Sequence, residues 1–213
     1  MMDLKSTDKV LVHACCAPCS GAILEWLVGQ GVRPTVFFSN ANIYPLAEYE
    51  LRRGELLRYA AQLGQKATSS GQEPRGLAVI DDVYDHEAWR CAVRGLENEP
   101  ERGQRCLQCF RFRLERAARY AHEHGFNVLT TTLASSRWKD LGQVDAAGSY
   151  ACSLFPGLRW WGRNWRKGGL QERRSAIIRE QNFYNQTWCG CEFSHHDKTN
   201  EPTCPLPVEA PSR

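Results

Sequence analysis

The chain has 213 residues and a formal net charge of +3, and ten of its residues are cysteines. This length predicts one domain with a sizeable core. No run is apolar enough to span a membrane or to act as a signal segment, which argues against a membrane-spanning or secreted protein and predicts a cytoplasmic location. Cytosolic thiols stay reduced, so clustered cysteines there bind metal or do redox chemistry more often than they build a disulfide scaffold.

The charge is distributed unevenly along the chain. Residues 102–179 carry fifteen Lys/Arg and five Asp/Glu, whereas the remainder is slightly acidic. A basic surface in the second half fits a phosphate-rich partner. An ordinary solvated face explains the charge equally well when the charge is taken alone.

Apolar runs of strand length alternate with stretches of helical periodicity. The predicted strands span residues 9–14, 35–38, 77–80, 126–133 and 158–161. The predicted helices span residues 20–29, 49–63, 86–93, 106–125 and 170–182, with a further helix after residue 140. This alternation predicts an α/β fold with a parallel sheet flanked by helices. Residues 65–76 are predicted to form a surface loop. The domain is predicted to span residues 1–196, and the Pro-rich segment 197–213 to be a disordered tail.

Three thiols follow the first predicted strand, in the run CCAPC at residues 15–19. Ligands of parallel α/β sheets bind at the carboxyl ends of the strands, and a helix N-terminus lowers the pKa of a thiol. Pro18 stiffens the turn, and Ser20 is predicted to cap the helix that follows. The run therefore favours metal ligation or redox chemistry, with buried packing of the thiols as the alternative.

A second cluster, Cys106 and Cys109, forms a C-x-x-C at the start of a predicted amphipathic helix. The motif alone fits zinc, an iron–sulfur cluster or a redox dithiol. With Cys15 and Cys16 it supplies four thiolates, the complement of a cubane iron–sulfur cluster or a structural zinc. Adjacent cysteines argue against a zinc knuckle, whose ligands are commonly two to four residues apart.

Cys189 and Cys191, separated by one glycine, form a third cluster. Their sulfurs can meet in a strained disulfide, and strain makes such a bond labile. The spacing predicts a redox-active pair that relays two electrons, with two unrelated loop cysteines as the alternative. Cys91, Cys152 and Cys204 are isolated, and no role is predicted for them.

Two segments alternate cations with aromatic rings, and their residues are Arg137, Trp138, Lys139, Trp165, Arg166 and Lys167. Flat rings stack on unpaired bases, while arginine and lysine hold phosphates. The segments therefore predict contacts with a nucleic acid. The alternative is that the tryptophans are core anchors and the cations are solvated.

Five segments together resemble the QueH family of epoxyqueuosine reductases. They are LVHACCAPCSG at 11–21, ENEPERGQRCLQCF at 97–110, SRWKD at 136–140, NWRKGG at 164–169 and FYNQTWCGC at 183–191. They occur in order over nearly the whole chain. The stretch 65–80 is longer than the family pattern, and the tail beyond residue 196 carries no family signal.

The resemblance implies the last step of queuosine biosynthesis, in which the epoxide of epoxyqueuosine at the tRNA wobble position loses its oxygen. It also implies a Rossmann-like sheet akin to that of adenine-nucleotide hydrolases, independence from cobalamin, and an electron donor that the sequence does not identify. By motif position, a [4Fe–4S] cluster would be held by Cys15, Cys16, Cys106 and Cys109, and Cys189 and Cys191 would be a redox-active disulfide pair.

The resemblance further implies an additional iron ion beside the cluster. Cys19, Asp82 and Asp85 are its candidate ligands, and the sequence does not choose among them.

Two other functions fit parts of the sequence. An ATP-using tRNA-modifying enzyme has a similar sheet, but it needs a phosphate loop such as SGGxDS where this chain has thiols at residues 15–19. A zinc-binding, non-catalytic tRNA adaptor would use the same cysteines as a structural metal site. Iron and sulfide in the protein would separate the enzyme from the adaptor.

Overall fold

A computed structural model of the chain describes residues 4–69 and 77–194. Five parallel strands form one sheet in the order β3-β2-β1-β4-β5. The strands are β1 Val10–Ala14, β2 Thr35–Phe38, β3 Val79–Asp81, β4 Val128–Thr131 and β5 Arg159–Trp160. The predicted α/β fold with a parallel sheet is therefore confirmed.

The central strand β1 is buried along its whole length. It pairs on one side with β2, where Leu11 lies opposite Thr35, and on the other side with β4, where Val10 lies opposite Val128. A strand covered on both faces needs a continuous apolar run, which VLV supplies at residues 10–12. Along the chain, β2 and then β3 are added on one side of β1, and β4 and β5 are added on its other side. The order therefore reverses between β1 and β4, and such switch points are where open α/β sheets bind ligands.

Six α-helices are present in the described residues: α1 Ala17–Gly29, α2 Leu46–Ser69, α3 His86–Ala92, α4 Gln104–Glu123, α5 Leu141–Ser153 and α6 Leu170–Glu180. Helix α1 packs against α2 and α6, and α4 packs against α3 and α5. Helix α4 buries an apolar stripe that includes Phe110, Leu114 and Ala118, as its periodicity predicted. Asp85 caps α3 by accepting a hydrogen bond from the backbone N–H of Ala88 at 2.9 Å, which confirms that cap.

Two local predictions are wrong. Helix α2 does not end at residue 63 but continues to Ser69, so residues 65–69 of the predicted loop are helical, because a glycine such as Gly64 does not by itself stop a helix. Ser20 is not a cap, because α1 already begins at Ala17 and Cys16 holds the N-cap position. Ser20 lies in the first turn and its Oγ donates to the carbonyl of Cys16 at 2.7 Å. Residues 70–76 and the predicted tail 197–213 lie outside the described residues.

Candidate metal and redox site

The first thiol cluster lies at the carboxyl end of β1, at the switch point of the sheet. The Sγ atoms of Cys15, Cys16 and Cys19 all lie within 4.8 Å of one another, and the first two are 3.8 Å apart. The side chains are buried. Hydrogen bonds from Cys16 and Cys19 lower the pKa of the Cys15 thiol well below its usual range, although burial opposes the shift. The triad could therefore hold a metal ion.

Thr132, which follows β4, ties the thiol loop to the neighbouring strand. The backbone N–H of Cys15 donates to its Oγ1 at 3.1 Å, and the Sγ of Cys15 lies 3.4 Å from the same atom. The Oγ of Ser20 is 3.3 Å away. Sequence reasoning missed Thr132, because its role depends on β1 and β4 being neighbours across 117 residues of chain.

All three thiol clusters line one cavity of about 870 Å³. Its cysteines are Cys15, Cys16, Cys19, Cys106, Cys109, Cys189 and Cys191. Cys106 and Cys109 belong to the first turns of α4. Burial raises the pKa of Cys106, while the backbone N–H of Arg102, which donates to its Sγ at 3.2 Å, opposes that shift. The sequence prediction that the separate clusters act together is therefore consistent with their shared cavity.

The cavity wall is strongly basic. Seven cationic residues line it, against the carboxylates of Glu101 and Asp140: Arg52, Arg102, Arg105, Arg113, Arg137, Lys139 and Arg174. Arg113 is 3% exposed, and its Nη2 donates to the side-chain amide oxygen of Asn40, which is uncharged. Its Nε donates to the carbonyl of Ser39 at 3.1 Å. A buried cation beside several thiols fits a site that holds thiolates or a negatively charged metal–thiolate centre.

Lys139 brings a further positive charge close to the thiols. Burial opposes its charged form, but the sulfurs of Cys189, Cys15 and Cys19 outweigh burial and raise the pKa of Lys139. The same ammonium group helps to keep nearby sulfurs as thiolates.

Cys189 and Cys191 are free thiols in the structure. A hydrogen bond from the Cys191 thiol lowers the pKa of Cys189 well below its usual range against the effect of burial, and Lys139 adds to the shift. The same bond and burial raise the pKa of Cys191. Cys189 is therefore the more readily deprotonated thiol of the pair, and Cys191 holds its proton more tightly.

The segment that carries this pair is docked onto the start of α2. Arg52, which is 3% exposed, donates from Nη1 to the carbonyl of Cys189 at 3.0 Å and from Nη2 to the carbonyl of Trp188 at 3.3 Å. The backbone N–H of Tyr44 donates to the carbonyl of Gly190 at 2.9 Å. Sequence reasoning did not single out Arg52, since nothing near it in the sequence signals a contact with residues 188–190.

The two basic–aromatic segments lie in different environments. Arg137, Trp138 and Lys139 line the cavity, and the Trp138 side chain is 73% exposed. Trp165 is 1% exposed and packs edge-on against Trp26 at 5.8 Å between ring centroids.

Trp165 is therefore a core anchor, and its prediction as a base-stacking residue is wrong. The guanidinium of Arg166 donates to the carbonyls of Ser136 and Lys139, the latter at 2.7 Å, so it does not point freely to a phosphate. Lys167 is exposed and lies outside the cavity wall.

Comparison with known proteins identifies the family. A model of the family described as "Epoxyqueuosine reductase QueH" matches residues 10–197. The chain belongs to this family. The resemblance seen in the sequence motifs is thereby confirmed, as is the assignment of the chain to the oxidoreductases.

Curated members of the QueH family align over most of the chain. The epoxyqueuosine reductase QueH of Histophilus somni is 43% identical over 190 residues, covering 89% of this chain and 73% of the relative. That of Haemophilus influenzae is 42% identical over 190 residues, with the same coverage of both chains. That of Acinetobacter baylyi is 42% identical over 192 residues, covering 90% of this chain and 83% of the relative.

Of the three candidate ligands for an additional iron, Cys19, Asp82 and Asp85, only Cys19 lies in the first thiol cluster. Asp82 accepts two hydrogen bonds from Arg116, at 2.6 and 2.8 Å, and a third from Ser39. Asp85 is occupied as the cap of α3. Neither aspartate lines the cavity.

None of the described helices has the length and apolar character needed to cross a bilayer.

Proposed function

We propose that this chain reduces the epoxide of epoxyqueuosine at the wobble position of tRNA to the alkene of queuosine, in the cytoplasm, as the last step of queuosine biosynthesis. The observation that carries the proposal is the meeting of seven thiols in one basic cavity, in a chain of the epoxyqueuosine reductase QueH family. A volume of about 870 Å³ is large enough for one modified nucleoside.

The thiols fit an iron–sulfur centre by number and by chemistry. Cys15, Cys16, Cys106 and Cys109 would hold a [4Fe–4S] cluster, and Cys19 is the nearest further ligand for an additional iron ion. When bound, such a centre supplies electrons and a Lewis acid for the epoxide oxygen. The buried charge of Arg113 and the ammonium of Lys139 would compensate the negative charge of the ligand set.

Oxidation of Cys189 and Cys191 would supply the electrons and protons that reduction of the epoxide consumes. Opening the epoxide to an alkene and water consumes two electrons and two protons. Oxidation of the two thiols to a disulfide releases two electrons and two protons. The low pKa of Cys189 favours the first loss of a proton, and Cys191 retains the second. An external electron donor must then reduce the disulfide before the next turnover.

The basic rim suits the nucleic acid that carries the base. Arg137 and Trp138 lie at the cavity and are exposed, so they can contact the unpaired nucleotides of an anticodon loop. Lys139, in the next position, also lines the cavity, and the thiols there raise its pKa against the effect of burial. A base extruded from the loop would therefore pass the rim before reaching the thiols.

The test is a single-turnover assay with anaerobically reconstituted protein and tRNA that carries epoxyqueuosine. Mass spectrometry of the nucleosides measures the loss of one oxygen. We expect wild type without added reductant to convert up to one equivalent. Cys189→Ser should convert none, and Cys152→Ala should behave as wild type because Cys152 is buried in α5 outside the cavity. Conversion by Cys189→Ser at the wild-type rate would overturn the role of the pair, and no conversion by any protein would overturn the function.

A further inference from the structure

The loop formed by residues 136–139 is held by two arginines from other parts of the chain. Arg102, in the segment before α4, donates from Nε to the carbonyl of Trp138 at 3.0 Å and from Nη2 to the carbonyl of Arg137 at 3.2 Å. Arg166, in the segment between β5 and α6, binds the carbonyls at the two ends of the loop. All four consecutive carbonyls of this loop are thus bound by arginine side chains.

Arg102 is itself fixed from several sides. Its backbone lies in the left-handed region, with a φ of 67°. Residues other than glycine rarely adopt this conformation unless the surrounding contacts stabilise it. Its N–H donates to the Sγ of Cys106 at 3.2 Å, and its carbonyl accepts from the Nε2 of Gln143 at 2.7 Å. The clamp on the loop is therefore attached directly to the thiol site and to α5.

The clamped loop displays one aromatic ring to solvent. Trp138 is 73% exposed, the largest exposed fraction of any large hydrophobic residue in the described ranges. Within residues 4–69 and 77–194 its ring makes no aromatic or cation–π contact, whereas the rings of Trp26, Trp161 and Trp165 contact one another. A large apolar ring that is left exposed on an immobilised loop, beside a cavity, is a feature of binding surfaces.

We propose that Arg102 and Arg166 are positioning residues that hold Trp138 as a rigid stacking platform for an unpaired base at the mouth of the cavity. This inference rests on the proposed function, which supplies the RNA. A loop whose backbone is already fixed loses little conformational freedom on binding, so the clamp improves affinity without touching the RNA. In this arrangement Arg166 positions the loop and does not contact a phosphate, and the two roles have different experimental signatures.

A double-mutant cycle separates these roles. The probe is an unmodified anticodon stem-loop RNA with guanosine at the wobble position, and its affinity for the metal-loaded protein is measured by fluorescence anisotropy over a series of salt concentrations. The variants are Trp138→Ala, Arg166→Gln and the double variant. Arg33→Gln is the matched control, because Arg33 is exposed and precedes the amino end of β2, whereas the thiols lie at the carboxyl end of β1, and Arg33 does not line the cavity.

We expect Trp138→Ala to weaken binding about tenfold, as for loss of one base-stacking contact. Arg166→Gln should weaken binding several-fold when Trp138 is present and less than twofold when it is absent. The dependence of log affinity on log salt should stay as in wild type. Arg102→Gln should behave as Arg166→Gln, which keeps the test available if one variant fails to fold.

An equal loss from Arg166→Gln in both backgrounds, with a salt slope reduced by about 0.7, would assign Arg166 to a phosphate contact and overturn the inference. Full affinity of the Trp138→Ala protein would also overturn it, because no platform would then exist. Failure of the wild type to bind the RNA more tightly than a duplex of equal length would overturn the proposed function itself.

Discussion

The side-chain amide of Gln186 donates a hydrogen bond from Nε2 to the Sγ of Cys16 at 2.8 Å. This contact joins the segment that carries Cys189 and Cys191 to the first thiol loop, across 170 residues of chain. An N–H donor to a ligand sulfur stabilises added negative charge, and such bonds are among the factors that set the reduction potential of an iron–sulfur centre.

Gln186→Leu should therefore lower the reduction potential of the metal centre and speed its loss to a chelator. The physical reason is the loss of a donor to Cys16 while the packing volume is nearly kept. Spectroelectrochemical titration and the rate of bleaching by a chelator measure the two effects. Gln30→Leu is the control, since Gln30 is exposed just beyond the far end of α1. An unchanged potential and bleaching rate would show that the bond is incidental.

Gly190→Ala should misplace the redox pair. Gly190 has a φ of +96°, and a Cβ there would lie 2.9 Å from both the Nη1 of Arg52 and the Cγ1 of Ile43. Gly157→Ala is the matched control, because Gly157 has a φ of +84° but nothing within 4 Å of its added Cβ. The control should lose about 1–2 kcal/mol of unfolding free energy from the backbone alone.

Gly190→Ala should lose more stability than this, and its turnover should fall at least about tenfold beyond that of the control. Urea unfolding and the nucleoside assay provide the two measurements. Equal effects of the two substitutions would mean that Arg52 and Ile43 do not set the position of the pair.

His13 should make stability depend on pH. It is fully buried in β1, with Nδ1 at 2.7 Å from the Oγ1 of Thr131 and Nε2 at 3.0 Å from the carbonyl of Ser39. Burial and the nearby charge of Arg113 lower its pKa from 6.5 to about 3. Between pH 6.5 and pH 3 the unfolded chain therefore binds a proton at His13 that the folded chain does not bind. The free energy of unfolding decreases as the pH falls through this range.

The slope from this one group approaches about 1.4 kcal/mol per pH unit. Urea unfolding of wild type and His13→Asn from pH 8 to pH 5 should show a shallower pH dependence in the variant. His122→Gln, which changes an exposed histidine, should keep the wild-type slope. Identical slopes for wild type and His13→Asn would contradict a neutral buried imidazole.

The sequence predicted those parts of the fold and the site that depend on local patterns. An apolar run followed by CCAPC placed the thiols at the carboxyl end of β1, and the periodicity around Phe110 and Leu114 predicted α4. Each of these follows from side-chain spacing within one element.

The partners that fix the site could not be predicted in this way. Thr132, Arg52 and Arg102 contact the thiol segments only because the sheet order and the loop paths bring distant parts of the chain together. Trp138 and Trp165 occur in similar basic contexts, yet one is 73% exposed and the other 1%. Tertiary packing determines this difference in exposure, and it cannot be predicted from the neighbouring residues in the sequence.

The metal content of the protein tests the central claim most directly. The protein is purified without oxygen, and iron, acid-labile sulfide and zinc are measured together with the visible spectrum. We predict a brown protein with about four irons and four sulfides per chain, plus any additional iron, and with zinc absent. Cys106→Ala should lose this content and the absorbance. One zinc per chain without sulfide would contradict the account and would favour a structural metal site in an RNA-binding adaptor.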